Sequence, residues 1–237
     1  MSVQKQLEQI AKSYDKAIEY GKKGIDLYDE LPKHIKECPN YSLFQAMRTG
    51  GKESDSGRKE IKDFLSPDAN MKFVDLGCCL NLMFRDYDKW PSLYYGVDIS
   101  GETIKLLNEF VKSKNLTVGG LVCGSIHQTP FVSGFFDIGA CIGVLEYFEK
   151  DFIIKALGEI RRILKTEAKF VLDVPDVGSP EFEIAKKVEA ALERPDRYNM
   201  PHKEFEKVLL PFFEISKKEK TGAMVQYFLI SKNNLPR

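Results

Sequence analysis

The sequence contains no apolar run long enough to cross a membrane as a helix. Its first segment, residues 1–20, carries too many charged side chains for a secretory signal peptide. An excess of either charge is also missing, because 35 basic residues are matched by 35 acidic ones. A strongly basic surface of the kind that binds nucleic acids is therefore not indicated. We expect a protein with neither a membrane nor a nucleic acid as its partner.

Cysteine is scarce and has neither disulfide nor zinc spacing. The chain has five cysteines, an odd number, namely Cys38, Cys78, Cys79, Cys123 and Cys141. Adjacent cysteines such as Cys78 and Cys79 rarely share one metal ion or one disulfide. We therefore expect free, mostly buried thiols, no metal site and a reducing compartment, the cytoplasm.

The first 66 residues have the pattern of a helical extension. Apolar residues recur at helical spacing from Val3 onward, and Pro32 and Pro39 interrupt that pattern. The predicted elements are helices over Val3–Tyr28, Tyr41–Met47 and Arg58–Leu65, and a loop over Thr49–Gly57. We expect residues 1–66 to form an α-helical lid and residues 67–237 to form the main domain.

From residue 71 onward, strand-like and helix-like segments alternate. The predicted strands are Lys72–Leu76, Leu93–Val97, Leu116–Cys123, Phe135–Ile142 and Lys169–Val174, with helices over Leu82–Lys89, Gly101–Lys114, Asp151–Leu164, Pro180–Glu193 and His202–Leu209. Two last strands, Phe212–Lys218 and Met224–Lys232, flank a turn signal. This order predicts an α/β fold with a doubly wound, mostly parallel seven-stranded sheet that ends in an antiparallel hairpin.

The candidate site lies where the predicted parallel strands end, because ligands of such sheets bind beyond the carboxyl ends of the strands. Asp75 and Gly77 follow the first strand. Asp98 follows the second, 21 residues beyond Gly77, which is the spacing of a carboxylate that accepts both hydroxyls of a ribose. Ser125 follows the third strand, and Cys141–Tyr147 ends the fourth.

Taken together, the segments VDLGC, YGVDIS, FFDIGACIGVLEYF and EIRRILKTEAKFVLDVP resemble the class I (Rossmann-like) S-adenosylmethionine-dependent methyltransferases. The resemblance covers about Phe73 to Asp176, and the closing hairpin is similar to the strand pair that ends that fold. It implies a cofactor, S-adenosylmethionine, and a product, S-adenosylhomocysteine. The residues that it implies for cofactor binding are Asp75, Gly77, Cys79, Asp98, Ile99, Ser125, Ile126, Cys141 and Ile142.

Within that set, the resemblance assigns Asp75 and Gly77 to the amino-acid end of the cofactor and Asp98 to its ribose. Ile99, Ser125 and Ile126 would surround the adenine, and the backbone at Cys141 and Ile142 would cover the methionyl part. Residues 144–147 would form one wall of the acceptor cavity. An arginine of the lid, Arg48 or Arg58, or one of its tyrosines, Tyr14, Tyr28 or Tyr41, would meet the cofactor's carboxylate.

The sequence departs from this family at Cys79 and Asn81, where glycine is usual, and at Ser125, where an acid is frequent. A side chain at residue 79 is expected to narrow the site, whereas asparagine tolerates a positive φ at residue 81. Serine can accept a hydrogen bond from the adenine amino group, but without charge. The catalytic group is unknown. The candidates are Glu146, Tyr147 and His202, with His127 as a further histidine near the site.

The resemblance implies transfer of a methyl group by direct in-line displacement to a small-molecule acceptor at O, N or C. The sequence lacks two motifs that mark other methyl-transfer chemistries, namely the Asn-Pro-Pro-Tyr type of tetrapeptide and the Pro-Cys pair. An RNA or protein methyltransferase and a non-catalytic, cofactor-binding regulatory protein remain alternatives. A nicotinamide dehydrogenase fits less well, because the turn after Gly77 lacks the three-glycine fingerprint. We expect a monomer or a homodimer.

Overall fold

A computed structural model describes residues 2–54, 58–194 and 197–233 of the chain. Its strands form one sheet in the order β3-β2-β1-β4-β5-β7-β6. They are β1 (Lys72–Leu76), β2 (Leu93–Asp98), β3 (Gly120–Cys123), β4 (Phe136–Cys141), β5 (Leu164–Pro175), β6 (Phe213–Thr221) and β7 (Met224–Ser231). Only β7 runs antiparallel to its neighbours. The predicted α/β fold with a mostly parallel sheet and a closing hairpin is confirmed.

Helices precede and alternate with these strands. They are α1 (Val3–Lys22), α2 (Lys33–Lys36), α3 (Tyr41–Ser54), α4 (Lys59–Leu65), α5 (Asn81–Phe84), α6 (Gly101–Lys114), α7 (Lys150–Ile163), α8 (Pro180–Ala191) and α9 (His202–Leu209). None of the helices described is long and apolar enough to span a membrane.

Strand β1 lies at the centre of the sheet and sends alternate side chains into two different cores. Val74 and Leu76 pack into the larger core, and Phe73 packs into the other. Its neighbours are β2 on one side and β4 on the other. The chain thus moves outward from β1 to β2 and β3 and then crosses back to β4. This change of direction leaves a crevice above the carboxyl end of β1, which is where ligands of doubly wound sheets bind.

Several predicted boundaries were wrong. Helix α1 ends at Lys22, not Tyr28, because Gly24 adopts a φ of 73° and Ile25 N–H bonds back to the Tyr20 carbonyl. Helix α3 continues to Ser54, through most of the predicted loop over 49–57, whose residues 55–57 lie outside those described.

Other differences concern the parallel sheet. The predicted helix Leu82–Lys89 is instead the short α5 and a 3-10 turn, because Asp86 breaks it with a φ of 55°. Strand β3 starts at Gly120, not Leu116, because its pairing with β2 begins at Gly120 opposite Tyr95. Strand β5 begins at Leu164, earlier than predicted, and pairs there with β4.

The N-terminal helices pack on the main domain at three places, one of which is α4, whose Ile61 and Leu65 lie in the core that contains Phe73. Helix α1 crosses the carboxyl edge of the sheet and contributes Leu7 and Ile10 to the larger core. Helices α2 and α3 instead pack Ile35 and Phe44 against Val188 of α8. The division into a lid and a main domain at residue 66 stays a prediction.

Candidate functional site

A cavity of about 220 Å³ lies above the carboxyl ends of β1, β2 and β4, under helix α1. Its walls come from every strand end that the sequence singled out and from the N-terminal helices. The lining residues are Leu7, Ile10, Tyr14, Arg58, Gly77, Cys79, Asn81, Asp98, Ile99, Gly124, Ser125, Ile126, Ile142, Gly143, Val144, Tyr147 and Phe148. Most of the predicted cofactor residues are therefore in one cavity. Asp75 and Cys141 are fully buried behind its wall.

The turn after β1 requires glycine at residue 77. Gly77 has a φ of 71°, and a Cβ atom there would lie 2.2 Å from Val144 Cγ2. The N–H groups of Gly77 and Cys78 both donate to the Val97 carbonyl, at 2.8 and 3.0 Å. These bonds tie the turn to β2 and bring the backbone close to the cavity.

Cys79 occupies the left-handed region that glycine favours, with a φ of 40°. Its side chain lines the cavity, and burial raises the pKa of its thiol to about 11, so the group stays neutral. A neutral thiol in this place is neither a nucleophile nor a metal ligand. No cluster of candidate metal ligands occurs among the residues that the structure describes.

Asparagine would tolerate a positive φ at residue 81, but Asn81 is not among the residues with a positive φ. Asn81 is the first residue of α5, and its side-chain amide donates to both carboxylate oxygens of Asp75, at 3.1 and 3.4 Å. Tyr94 O–H donates to the same carboxylate at 3.0 Å. Asparagine here thus holds a buried acid in place, which glycine could not do.

Asp98 projects into the cavity from the end of β2. One of its oxygens accepts the Cys79 N–H at 2.8 Å, and the other accepts the Ser100 N–H at 2.9 Å. Burial raises the pKa of this carboxyl, while those N–H groups oppose the rise. Each carboxylate oxygen keeps a second lone pair, so the pair of oxygens can accept two further hydrogen bonds. That is the arrangement needed to hold the two hydroxyls of a ribose.

The end of the cavity that is formed by the residues after β2 and β3 is largely apolar. Ile99 and Ile126 face it, and Ser125 adds one hydroxyl. The Ser125 Oγ atom lies 2.7 Å from His127 Nδ1. A flat apolar group with one hydrogen-bonding edge suits these walls.

At the other end, the charge of the partly buried Arg58 acts on two buried acids, Asp75 and Asp173. Arg58 lines the cavity and donates to the Tyr87 hydroxyl at 3.3 Å. Its charge lowers the pKa of Asp75 and of Asp173, but burial outweighs it and raises both pKa values to about 6. Asp173 also accepts the Gly143 N–H at 2.8 Å. Above pH 6 the group carries a net negative charge.

Asp173 was missed in the sequence, although it lies near the end of β5 and the search of strand ends would have found it. Arg58 was one of two arginines considered for this end of the site. The other, Arg48, is ion-paired with Asp26 and stacks on the Tyr28 ring, away from the cavity.

Two lining residues, Tyr14 and Tyr147, belong to a chain of hydrogen-bonded side chains. The hydroxyls of Tyr14 and Tyr147 are 2.9 Å apart, and Tyr147 donates to Glu189 Oε2 at 3.1 Å. Arg194 pairs with Glu189 at 3.4 Å and lies 4.2 Å from the centre of the Tyr14 ring. Burial raises the pKa of Tyr147 well above its ordinary value, so its phenol remains protonated.

The other candidate catalytic groups do not line the cavity. Glu146 has its Oε1 atom 3.9 Å from where a Cβ atom on Gly143 would stand, just behind the wall. His202 bonds to Asp176 Oδ1 at 2.9 Å, beyond the end of β5, and also contacts the Tyr227 hydroxyl. Roles for these residues in catalysis remain predictions.

Comparison with known proteins identifies the domain. Residues 74–172 match the family described as a methyltransferase domain. This match covers less than half of the chain, and within it the sequence is that of a methyltransferase domain. An uncharacterized protein of Methanocaldococcus jannaschii is 29% identical over 157 residues. The match covers 63% of this chain but only 59% of that protein, so the chain spans less than two thirds of its relative.

Solved structures share the fold at low sequence identity. A Pyrococcus horikoshii protein has a TM-score of 0.59 at 20% identity, covering 85% of this chain and 99% of its own. An S-adenosylmethionine-dependent methyltransferase of Aquifex aeolicus has a TM-score of 0.58 at 14% identity, covering 82% and 100%. A geranyl diphosphate C-methyltransferase of Streptomyces coelicolor, solved with S-adenosylhomocysteine, has a TM-score of 0.61 at 15% identity, covering 73% and 74%.

Proposed function

We propose that the protein transfers the methyl group of S-adenosylmethionine to a small molecule by direct in-line displacement. The observation that carries this proposal is the position of Asp98. Its carboxylate is fixed by two backbone N–H groups at the edge of a cavity in a methyltransferase fold, and it retains lone pairs toward that cavity. This is a preformed acceptor for a ribose diol.

The remaining walls fit the rest of the cofactor. The apolar end at Ile99 and Ile126 suits the adenine, with Ser125 at its edge. At the other end, the partly buried cation Arg58 suits the cofactor's carboxylate, and the negative charge of Asp75 and Asp173 favours its ammonium group. Arg58 lines the cavity, whereas the two acids are buried outside its lining.

Bound S-adenosylmethionine supplies a methyl group that its sulfonium already activates. The protein then has to orient the acceptor and exclude water. The cavity is lined by the apolar side chains of Leu7, Ile10 and Phe148, which help to exclude water. Tyr147 stays protonated and donates its O–H to Glu189, so it does not serve as a phenolate base. We infer that the acceptor brings its own nucleophile.

A small acceptor fits a cavity of about 220 Å³ better than a polymer does. Helix α1 lies across the cavity, and the balanced charge of the chain offers no general attraction to RNA. A related fold acts on a small molecule, geranyl diphosphate, which supports the class of acceptor by analogy only. The neutral thiols at Cys78, Cys79 and Cys141 suit a reducing cytoplasm, the location we propose. A monomer or homodimer stays a prediction.

The test uses S-adenosylmethionine labelled in its methyl group. The protein is incubated with this reagent and, separately, with the small-molecule, RNA and protein fractions of a cell extract. We expect label to enter the small-molecule fraction. Transfer into RNA or protein would overturn the acceptor class. Binding of the cofactor without transfer to any fraction would favour the alternative, a non-catalytic protein that holds the cofactor.

A further inference from the structure

Two tyrosines of the cavity belong to a hydrogen-bonded chain, Tyr14–Tyr147–Glu189, whose direction is fixed at one end. Tyr147 O–H donates to Glu189 Oε2 at 3.1 Å, and Arg194 is ion-paired with the same carboxylate at 3.4 Å. An ionised carboxylate only accepts hydrogen bonds, so the one proton of Tyr147 is used there. The oxygens of Tyr14 and Tyr147 are 2.9 Å apart, and Tyr14 must therefore be the donor between them.

This direction determines what Tyr14 can offer to a ligand. Tyr14 lines the cavity, and its proton is used on Tyr147, so its oxygen presents only lone pairs. That oxygen suits a ligand group that carries a proton. It does not suit a carboxylate, which leaves Arg58 to bind the carboxylate of the cofactor.

The other end of the Tyr14–Tyr147–Glu189 chain reaches solvent. The side chain of Glu189 is 14% exposed, so a proton that arrives there can leave the protein. Burial raises the pKa of Tyr14 and of Tyr147 well above the ordinary value, so both phenols stay protonated. The chain can still carry a proton outward if each phenol gives up one proton as it receives another.

We propose that the acceptor is an alcohol or phenol, and that Tyr14 takes its proton and passes it through Tyr147 to Glu189. The proposal rests on the proposed function, because it requires methyl transfer in this cavity. As the acceptor oxygen bonds to the methyl carbon, the carbon–sulfur bond breaks and its electron pair stays on sulfur. The acceptor's proton moves to Tyr14, the proton of Tyr14 to Tyr147, and the proton of Tyr147 to Glu189, which releases it to solvent. Tyr14 touches the acceptor, and the other two residues act through it.

The weak basicity of a carboxylate selects this class of acceptor. A carboxylate cannot deprotonate an alkylammonium group, whose pKa is about 10, so a protonated amine would not be activated. A hydroxyl attacks with a lone pair while it still carries its proton, and it becomes a strong acid as the new bond forms. Carboxylic acids ionise without help near pH 7 and need no such chain.

The first measurement tests the chain without turnover. The protein is labelled with carbon-13 at tyrosine Cζ, and NMR signals of Tyr14 and Tyr147 are assigned with Y14F and Y147F. We expect E189Q to shift both signals, because an amide accepts a weaker hydrogen bond than a carboxylate does. E183Q, a change of an exposed acid on the same helix, is the control and should shift neither.

The second measurement follows transfer from methyl-labelled S-adenosylmethionine into the small-molecule fraction of a cell extract. We expect Y14F, Y147F and E189Q each to slow transfer about 100-fold at pH 7, while S-adenosylhomocysteine binds as it does to the wild type. E183Q should transfer like the wild type. The labelled product should be a methyl ether, which resists alkali and is not retained by a cation exchanger.

The pH dependence separates proton transfer from packing. In E189Q, transfer should rise about tenfold per pH unit above pH 7, because hydroxide then takes the proton, whereas the wild type should change little. Glu146 and Cys79 also act on the phenol of Tyr14, and Tyr28 acts on Arg194, but all three are the same in both proteins.

Wild-type rates in E189Q or Y147F, or label in an amine or a methyl ester, would overturn this proposal. So would a Tyr14 signal that E189Q leaves in place. Slower transfer with an equal loss of affinity for S-adenosylhomocysteine would mean that the chain only holds α1 in position. In each of these cases the wild type still transfers label. A wild type that neither binds S-adenosylhomocysteine nor transfers label would instead overturn the proposed function.

Discussion

Cys79 stands in a backbone conformation that side chains rarely adopt, with a φ of 40° at the turn after β1. Left-handed backbone costs a non-glycine residue about 1–2 kcal/mol. We therefore expect C79G to raise the free energy of unfolding by about 1 kcal/mol after the greater freedom of glycine in the unfolded chain is subtracted. Urea unfolding measures this. C79A is the matched control, because it removes the thiol but keeps the Cβ atom, and it should bring no such gain.

The same two variants decide whether the thiol crowds the ligand. Since the side chain of Cys79 lines the cavity, we expect C79G to bind S-adenosylhomocysteine more tightly than the wild type does. Weaker binding by both variants would show that the thiol packs against the ligand and contributes to affinity.

Arg58 is the residue that we assign to the cofactor's carboxylate. R58M should weaken binding of S-adenosylhomocysteine by about tenfold or more, because a buried charge-assisted hydrogen bond is lost. Binding of 5′-methylthioadenosine, which lacks the amino-acid part, should not change. R58K keeps the charge and should recover part of the affinity. An equal loss for both ligands in R58M would mean that Arg58 supports the structure of the site and does not contact the carboxylate.

At the scale of elements, helix α1 is fixed over the cavity from two sides. Asp15 accepts hydrogen bonds from Ser100 Oγ at 2.6 Å and from the Glu102 N–H at 3.2 Å, at the start of α6. On the other side, Ser13 donates to the Leu192 carbonyl at 2.8 Å and accepts from Arg194. A ligand that reaches the cavity past α1 must break contacts of this kind.

We accordingly expect D15A to loosen α1. Hydrogen exchange should speed up in α1, and S-adenosylhomocysteine should dissociate several-fold faster in stopped-flow measurements, because the helix loses its bonds to the start of α6. K16A, a change of the exposed neighbouring residue, is the control and should leave both rates unchanged. Unchanged rates in D15A would show that α1 does not open during ligand exchange.

The parallel strands were predictable from sequence because each is a short apolar run bounded by turn residues. The positions of Gly77 and Asp98 at strand ends follow directly from that pattern. Local pattern did not reveal the break at Asp86, since nothing in its neighbours demands a positive φ. The bond between Asn81 and Asp75 also depends on the turn geometry, which brings two residues six apart into contact.

At the scale of the whole molecule, burial of carboxylates links stability to pH. Burial raises the pKa of Asp75 to about 6, above the value of about 3.9 for an exposed aspartate. Between these values the folded state binds more protons than the unfolded state does. The contribution of Asp75 to the free energy of unfolding therefore rises as the pH falls from 6 toward 4, and it is constant above 6.

D75N removes this dependence. We expect the stability of the wild type relative to D75N to increase by about 2–3 kcal/mol between pH 7 and pH 4. Urea unfolding at a series of pH values measures the difference, in which the titration of groups that do not interact with Asp75 cancels. A difference that is flat over this range would mean that Asp75 titrates normally in the folded protein.

How the site is assembled was the property least predictable from the sequence alone. The predicted strand ends do meet in one cavity, but the roof is formed by Leu7, Ile10 and Tyr14 of α1. Their helical spacing predicted an amphipathic helix without saying what it covers. Likewise, Arg58 reaches the cavity because α4 packs beside the sheet, a long-range contact that no local spacing encodes.

The central claim is that this cavity binds the S-adenosylmethionine family of ligands through Asp98. The direct measurement is calorimetry with S-adenosylmethionine and S-adenosylhomocysteine on the wild type and on D98A. We predict binding of both ligands at one site and a loss of about 30-fold or more in D98A, since hydrogen bonds to a buried carboxylate disappear. D151A, a change of an exposed aspartate on α7, should bind like the wild type. Absence of binding to the wild type, or unchanged affinity in D98A, would contradict the account.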